Sequence, residues 1–308
     1  VTITERIDRT TFIPEEYRHT VIPMPKSVKV ELTSRCNYKC SFCAHGHLKG
    51  KGVDMDLGFF KCLVQGMREA GVEELGVFYI GESMLYPHLV EAVRYAKEIG
   101  FPYVFLTSNG SLTTVPLLQA LMAAGLDSLK WSLNFSDPMQ FREIAGVKQS
   151  VFERVLANIK AARALRDTGG YKTRLYASSI RYDGEQFQRM EKVVQDVLPY
   201  VDEHYWLPLY SFGGVTGDTK SVAGNPGRHD AMRPPLPCWS VFKEGHVTCD
   251  GMLSACCFDS SNAWAMADLT EVPFAEGWNS IAFQYLRGRH LDGDVHDTPC
   301  ETCIYGRN

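Results

Sequence analysis

The chain has 308 residues, a formal charge of −4 and an ordinary globular composition, with 45% apolar and 22% charged residues. That charge leaves no broad basic surface for nucleic acid, and no apolar run reaches the roughly 18–20 residues that a membrane helix needs. The opening VTITERIDRTTF is charged where a secretory signal is apolar, so the expected location is the reducing cytoplasm, where ten cysteines point to metal or redox chemistry rather than disulfides.

Residues 1–26 read as an N-terminal extension. From residue 27, six short runs rich in β-branched and aromatic residues read as strands: SVKVELT, ELGVFYI, YVFLT, SLKWSL, TRLYASS and EHYWLPL. Between them MDLGFFKCLVQGMREA, HLVEAVRYAKEI, VPLLQALMAA, VFERVLANIKAARAL and EQFQRMEKVVQDVL carry apolar residues three and four apart, as helices do. Gly71, Gly100 and Gly125 follow three of these helices as stop signals. Strict alternation implies an α/β fold with a parallel sheet wrapped by helices. Six units fall short of a closed eight-stranded barrel, so residues 27–210 are expected to form a partial (β/α)6 TIM-like barrel with ligands at the strands' C-terminal ends. Residues 211–237, rich in Gly, Pro and polar residues, read as a linker or active-site loop. Residues 238–308 hold six of the ten cysteines, a hairpin signal at Asp250-Gly251 and a helix in WNSIAFQYLRGRHL. So small a unit with so little periodicity needs a staple such as a metal.

Directly after the first strand, TSRCNYKCSFCAHGH places Cys36, Cys40 and Cys43 in a C-x3-C-x2-C spacing. Three thiolates on one loop can hold three corners of a cubic iron–sulfur cluster and leave its fourth iron open. A structural zinc is the alternative, but it wants four ligands. With the aromatic Phe42 before its last cysteine, the motif resembles the signature of the radical S-adenosylmethionine (SAM) superfamily, and the likeness extends over about residues 27–210. The resemblance implies a [4Fe–4S] cluster whose open iron binds the amino and carboxylate groups of SAM. It also implies one-electron cleavage of SAM to methionine and a 5′-deoxyadenosyl radical, which takes a hydrogen atom from the substrate. In YIGESMLYP it implies Glu82 as acceptor for the SAM amino group and a close-packed glycine that lets SAM approach, although Ile80 and Ser83 stand where the family has glycine and proline. Ser108 and Asn109 in LTSNG, and Ser132 and Asn134 in WSLNF, match the family's polar strand ends. On the residues alone, each of these four is equally turn chemistry or a helix cap.

The second set resembles the front of the family's SPASM extension: Cys238, twelve residues, Gly251, four residues, Cys256, and later PCETC with Cys300 and Cys303. Only five residues follow Cys303, so the expected form is the one-cluster version called a twitch domain. The implied ligands Cys238, Cys256, Cys300 and Cys303 fill a second, auxiliary [4Fe–4S] cluster; structural zinc is again the alternative. Cys62 is expected to be a buried core thiol. If Asp250-Gly251 make a two-residue turn, Cys249 opposes Met252 and shares a face with Ser254 and Cys256, while Cys257 packs away on the other face. A strand bulge undoes that inference.

A thiol near a carbon radical readily gives up its hydrogen, because S–H is weaker than most C–H bonds. Cys249 returning hydrogen to the opposite face makes an epimerase; an inert core thiol or a substitute cluster ligand is the alternative. The cysteine plan resembles that of twitch-type aminoglycoside-tailoring enzymes. That resemblance implies a cationic aminoglycoside substrate met by Asp and Glu of residues 211–237 and of the C-terminal part, and a flavodoxin or ferredoxin as electron donor. An aminocyclitol dehydrogenase, with the auxiliary cluster accepting the electron, is the second reading. Modification of a ribosomal peptide is a third, disfavoured by the short segment before the first strand. A non-catalytic iron–sulfur or zinc module is a fourth. No nucleic acid or membrane partner is expected.

Overall fold

The computed structural model describes residues 2–47, 52–182, 184–209, 212, 215–216, 236–259 and 262–305. Helix α1 (Ile3–Thr11) starts at a capping box: the Thr2 hydroxyl accepts from Glu5 N–H, and the Glu5 carboxylate accepts from Thr2 N–H. Then strands and helices alternate as β1 (Ser27–Val30), α2 (Leu57–Glu69), β2 (Glu74–Gly76), α3 (Leu89–Glu98), β3 (Tyr103–Ser108), α4 (Val115–Ala123), β4 (Ser128–Ser132), α5 (Pro138–Ala145), α6 (Ser150–Gly169), β5 (Arg174–Ile180), α7 (Gly184–Val197) and β6 (Glu203–Leu207). The six strands pair in chain order and all in parallel, which is the expected partial barrel. Gly71, Gly100 and Gly125 end α2, α3 and α4 at φ of +102°, +90° and +95°, conformations that suit glycine.

β1 and β2 are shorter than their apolar runs because the chain leaves the ladder early. Past Val30 and Gly76 the backbone turns into loops at the strands' C-terminal ends, where the cysteine motif and Glu82 lie. Up to β6, helices α1 and α5 lie outside the expected helical stretches. Asp137 caps α5 by accepting from the N–H groups of Met139 and Gln140, and Pro138 supplies the first helical residue.

The remaining elements are α8 (Ser240–Lys243), β7 (Glu244–Val247), β8 (Met252–Ser254), β9 (Ala265–Asp268), α9 (Phe274–Trp278), α10 (Ile281–Leu291) and α11 (Glu301–Tyr305). β7 pairs in parallel with β1, and β8 and β9 follow antiparallel, so one sheet runs β6-β5-β4-β3-β2-β1-β7-β8-β9. Lys29, Tyr103, Lys130, Tyr205 and Glu244 of the sheet line one cavity together with Ile3 and Ile7 of α1. α1 spans the sheet's N-terminal end. Ile3 and Thr4 N–H groups donate to Glu203 on β6 at 2.8 and 3.2 Å, and Arg6 bonds Glu74 on β2 at 2.8 Å while lying 3.5 Å above the Tyr103 ring on β3.

Candidate active site

The first cysteine loop is held by backbone on both sides. Ser34 N–H bonds Val53 O at 2.9 Å, and Arg35 grips Asp54 through two hydrogen bonds of 3.0 and 2.6 Å. Lys39 and Ser41 N–H groups bond the carbonyls of Ala145 and Ile144, so the end of α5 anchors the loop. Cys43 N–H closes a turn onto Cys40 O at 3.0 Å, and Cys43 Sγ receives His45 N–H at 3.5 Å. Burial pushes the Cys36 thiol up to about 11, helped by the nearby Glu82 and Cys43. Cys40 and Cys43 are raised by burial as well, Cys40 further by its two neighbouring thiols. A cationic centre such as the iron of a cluster would favour their thiolate forms. Cys36, Cys40, Cys43, Phe42, Glu82, Ser108, Asn109, Ser132 and Asn134 all line one cavity at the C-terminal ends of β1 to β4.

Their roles within that cavity differ. Glu82 is 3% exposed, and burial raises its carboxyl against three opposing hydrogen bonds. Oε1 accepts from Ser108 Oγ at 2.8 Å and Met84 N–H at 3.2 Å, and Oε2 accepts from Asn109 N–H at 2.7 Å. Among the described residues these bonds leave one acceptor position, on Oε2. Ser108 thus faces Glu82 rather than the cavity centre. Asn134 Oδ1 accepts Ile180 N–H at 3.0 Å and ties β4 to β5, and Asn109 bonds Asn37 and Ser111. The motif's glycine is close-packed. A Cβ on Gly81 would sit 2.0 Å from Thr33 O and 2.9 Å from Arg35 O, so the close approach is to the cysteine loop's own backbone.

The second set also converges. Cys238, Cys256, Cys300 and Cys303 line a second cavity with Asp259 and His290. Burial raises the Cys300 thiol far above its ordinary value, with further help from Cys238 and Cys303. Phe258 N–H approaches Cys256 Sγ at 3.4 Å. Among the described residues no three His, Cys, Asp or Glu groups close around a single metal ion; a cluster holds its thiolates at separate corners, in a wider cage.

The hairpin corrects one expectation. His246 opposes Ser254, Val247 opposes Leu253, and Thr248 N–H bonds Met252 O at 2.9 Å. The loop therefore has three residues, Cys249 to Gly251, closed by Gly251 N–H to Thr248 O at 2.9 Å, with Gly251 at φ +88°. A turn followed by a left-handed glycine fits the strand twist as well as the expected two-residue turn does. Cys249 thus does not oppose Met252, and the argument for a face shared with Ser254 and Cys256 falls.

Cys249 is nevertheless turned toward the root of the first cysteine loop. Its N–H bonds Glu31 Oε2 at 3.2 Å, and it is 7% exposed. Burial pushes its thiol up to about 12, with Glu31 adding to the rise and a hydrogen bond with Ser34 opposing it. Ser34 lies two residues before Cys36, and its carbonyl is 2.9 Å from His45 Nε2.

Cys257 is half-buried near Tyr79. Cys62 is exposed, which overturns its reading as a core thiol: α2 buries Phe60, Leu63, Val64 and Met67 and leaves Cys62 outside that stripe. The acids of residues 211–237 lie outside the described residues. Sequence reasoning missed Glu31, His290 and Tyr79. Tyr79 lines the first cavity, its hydroxyl bonds Cys256 O at 2.9 Å, and its ring lies 5.4 Å from that of His246. His246 Nε2 is 3.1 Å from Glu244, which in turn bonds Lys29 at 2.8 Å. Glu31 and Tyr79 sit in apolar strand runs and His290 in a helix, where nothing local marks them.

The family model for the radical SAM superfamily matches residues 30–196. The chain belongs to the radical SAM superfamily. A second model, SPASM, an iron–sulfur cluster-binding domain, matches residues 238–304. The two matches give this radical SAM protein a SAM-binding [4Fe–4S] cluster and auxiliary iron–sulfur binding. Among curated proteins it is similar to PqqA peptide cyclase of Xanthomonas campestris pv. campestris (strain B100), at 34% identity over 148 residues. It is similar also to that of Gluconobacter oxydans (strain 621H), at 32% over 146 residues. Each match covers 47% of this chain and 39% of the relative, so the chain spans well under half the length of those proteins. Streptococcus suis SuiB bound to its precursor peptide SuiA superposes with TM-score 0.70 at 12% identity, covering 94% of this chain and 72% of SuiB. BtrN in complex with AdoMet and 2-DOIA superposes with TM-score 0.56 at 18% identity, covering 87% of each chain. Both likenesses are of fold. Among the described residues no helix is long and apolar enough to cross a membrane.

Proposed function

We propose that this radical SAM enzyme is an epimerase of a cationic aminoglycoside, resembling neomycin C epimerase, which converts neomycin C to neomycin B by inversion at C-5‴. In this reading Cys36, Cys40 and Cys43 hold the SAM cluster within residues 27–210, and Cys238, Cys256, Cys300 and Cys303 hold one auxiliary cluster within residues 238–308. When bound, cluster and SAM together supply the 5′-deoxyadenosyl radical that removes one substrate hydrogen. Glu82 offers its remaining Oε2 position to the SAM amino group, and the brace of Ser108 and Asn109 keeps that oxygen aimed.

The observation that carries the reading is Cys249. A hydrogen-atom donor has to be a thiol, not a thiolate, and burial keeps Cys249 protonated. Its contacts with Glu31 and Ser34 lie at the root of the first cysteine loop. The substrate carbon radical takes the S–H hydrogen and becomes the inverted C–H. The resulting thiyl then takes one electron and one proton and returns to thiol. The auxiliary cluster is the proposed electron source.

Peptide modification is the second reading, favoured by the PqqA peptide cyclase relatives, though those matches cover less than half of this chain. Anaerobic turnover with neomycin C in D2O separates the readings. The expected product is an isomer with one deuterium at the inverted carbon. Cys249→Ala is expected to keep its iron and still cleave SAM while making no epimer. A product two hydrogens lighter identifies a dehydrogenase with Cys249 idle, and turnover of a peptide but not of neomycin C defeats the aminoglycoside reading. Loss of iron in Cys249→Ala would make Cys249 a ligand.

A further inference from the structure

His290 lies in the last turn of α10 and is 1% exposed, with its ring edge-on to Phe242. Its two nitrogens meet two different members of the second cysteine set. Nδ1 is 3.2 Å from the backbone nitrogen of Cys238, and Nε2 is 3.2 Å from Cys300 Sγ. The backbone N–H of Cys238 can only donate, so Nδ1 must present its lone pair there and carries no proton. An imidazole keeps at least one N–H, and Nε2 therefore holds it, directed at sulfur. The imidazolium form is excluded by the same contact, since it would set two N–H groups against each other. The main chain thus selects the tautomer.

We propose that His290 is a positioning residue for the auxiliary cluster: its Nε2–H donates to the Cys300 thiolate, ties the Cys238 and Cys300 segments together, and raises the cluster's reduction potential. A hydrogen bond to a ligand sulfur draws off negative charge and so favours the reduced, more negative cluster. Phe258 N–H does the same at Cys256 from the backbone; His290 does it from a side chain, which substitution can remove. The inference rests on the assignment of Cys300 as a ligand, not on the epimerase reading. Its consequence for that reading is that the electron returned to the Cys249 thiyl comes from a cluster held easier to charge.

The test uses the full chain with Cys36→Ala, Cys40→Ala and Cys43→Ala, so that the remaining electron paramagnetic resonance (EPR) signal is that of the auxiliary cluster. Anaerobic redox titration should show His290→Phe with its iron retained and its midpoint shifted to a more negative potential. His290→Gln, whose amide N–H can reach the sulfur, should recover part of the shift. An unchanged midpoint in an iron-replete His290→Phe overturns the proposal. Should His290→Phe lose its iron, pulsed EPR of the unsubstituted protein labelled with 15N-histidine decides: a weak coupling from imidazole nitrogen to the reduced cluster supports the hydrogen bond, and its absence overturns it. Iron content of Cys300→Ala separates the two failures. A retained cluster there removes the premise, whereas a lost cluster with no 15N coupling removes only the hydrogen bond.

Discussion

Glu82 shows how little a motif says about the work of its residues. Its carboxylate accepts three hydrogen bonds from within the chain, two of them from Ser108 and Asn109, which by sequence looked like separate contacts for the cofactor. Glu82→Gln keeps an acceptor for Ser108 and Met84 but turns an amide N–H toward the Asn109 N–H. The expected cost is about 1–3 kcal/mol for an unsatisfied buried donor, read as a lower denaturant midpoint, together with weaker SAM binding by equilibrium dialysis. Unaltered SAM affinity in a folded Glu82→Gln protein would remove Glu82 from the site. Membership of the cavity was legible residue by residue, because each motif follows a strand. Orientation was not, since which lone pair meets which donor depends on strands far apart in sequence. Cys62 is a different case: Phe60, Leu63, Val64 and Met67 already trace the buried stripe in sequence, and Cys62 falls outside it.

At the scale of elements, α1 carries a Thr-x-x-Glu box that the sequence displays openly, but with no apolar stripe behind it the helix was not foreseen. What holds it is tertiary and polar. Arg6 reaches Glu74 and lies over Tyr103, while Glu203 accepts from the helix's first N–H groups. Arg6→Ala should therefore loosen the floor of the barrel by about 1–2 kcal/mol, the sum of a partly buried ion pair and a cation–π contact. Urea denaturation checks the value, and hydrogen exchange at residues 3–11 should speed up more than exchange elsewhere. The hairpin failed for an opposite reason. Asp250-Gly251 does mark a turn, but a two-residue and a three-residue loop share that signal, and one residue of register moves every side chain to the other face.

For the whole molecule, the order β1 to β6 followed from alternation alone, whereas the docking of β7 beside β1 did not, because a parallel partner distant in sequence leaves no local trace. The buried ionisable groups this sheet collects make acid the weak side of its stability. Burial lowers His204 to about 4, against an ordinary value near 6.5. Stability from keeping it neutral is complete above pH 6.5 and declines as pH falls toward 4, because the unfolded chain takes up the proton first. For Glu244, burial alone would raise the carboxyl, but Lys29 and His246 outweigh it and hold it well below its ordinary 4.5, so its contribution is lost at still lower pH. The melting temperature is expected to fall from about pH 6.5 downward and more steeply below 4.5. His204→Gln should flatten the upper part of that curve, and a profile flat between pH 7 and 5 would contradict the assignment.

The pairing of β1 with β7 also bears on timing. One cysteine set is carried by the loop leaving β1, and Cys256 of the other follows the β7–β8 hairpin, with Lys29 opposite His246 and Val30 opposite Val247. The interval between the two sets is therefore written in backbone hydrogen bonds of a continuous sheet and not in the swing of a tether. If both sets hold the proposed clusters, electrons crossing that interval would meet a tunnelling barrier of constant width, with Tyr79 reaching from the first cavity to Cys256. Their transfer should keep one rate constant in water and in concentrated glycerol, where a hinged carrier would slow in proportion to viscosity.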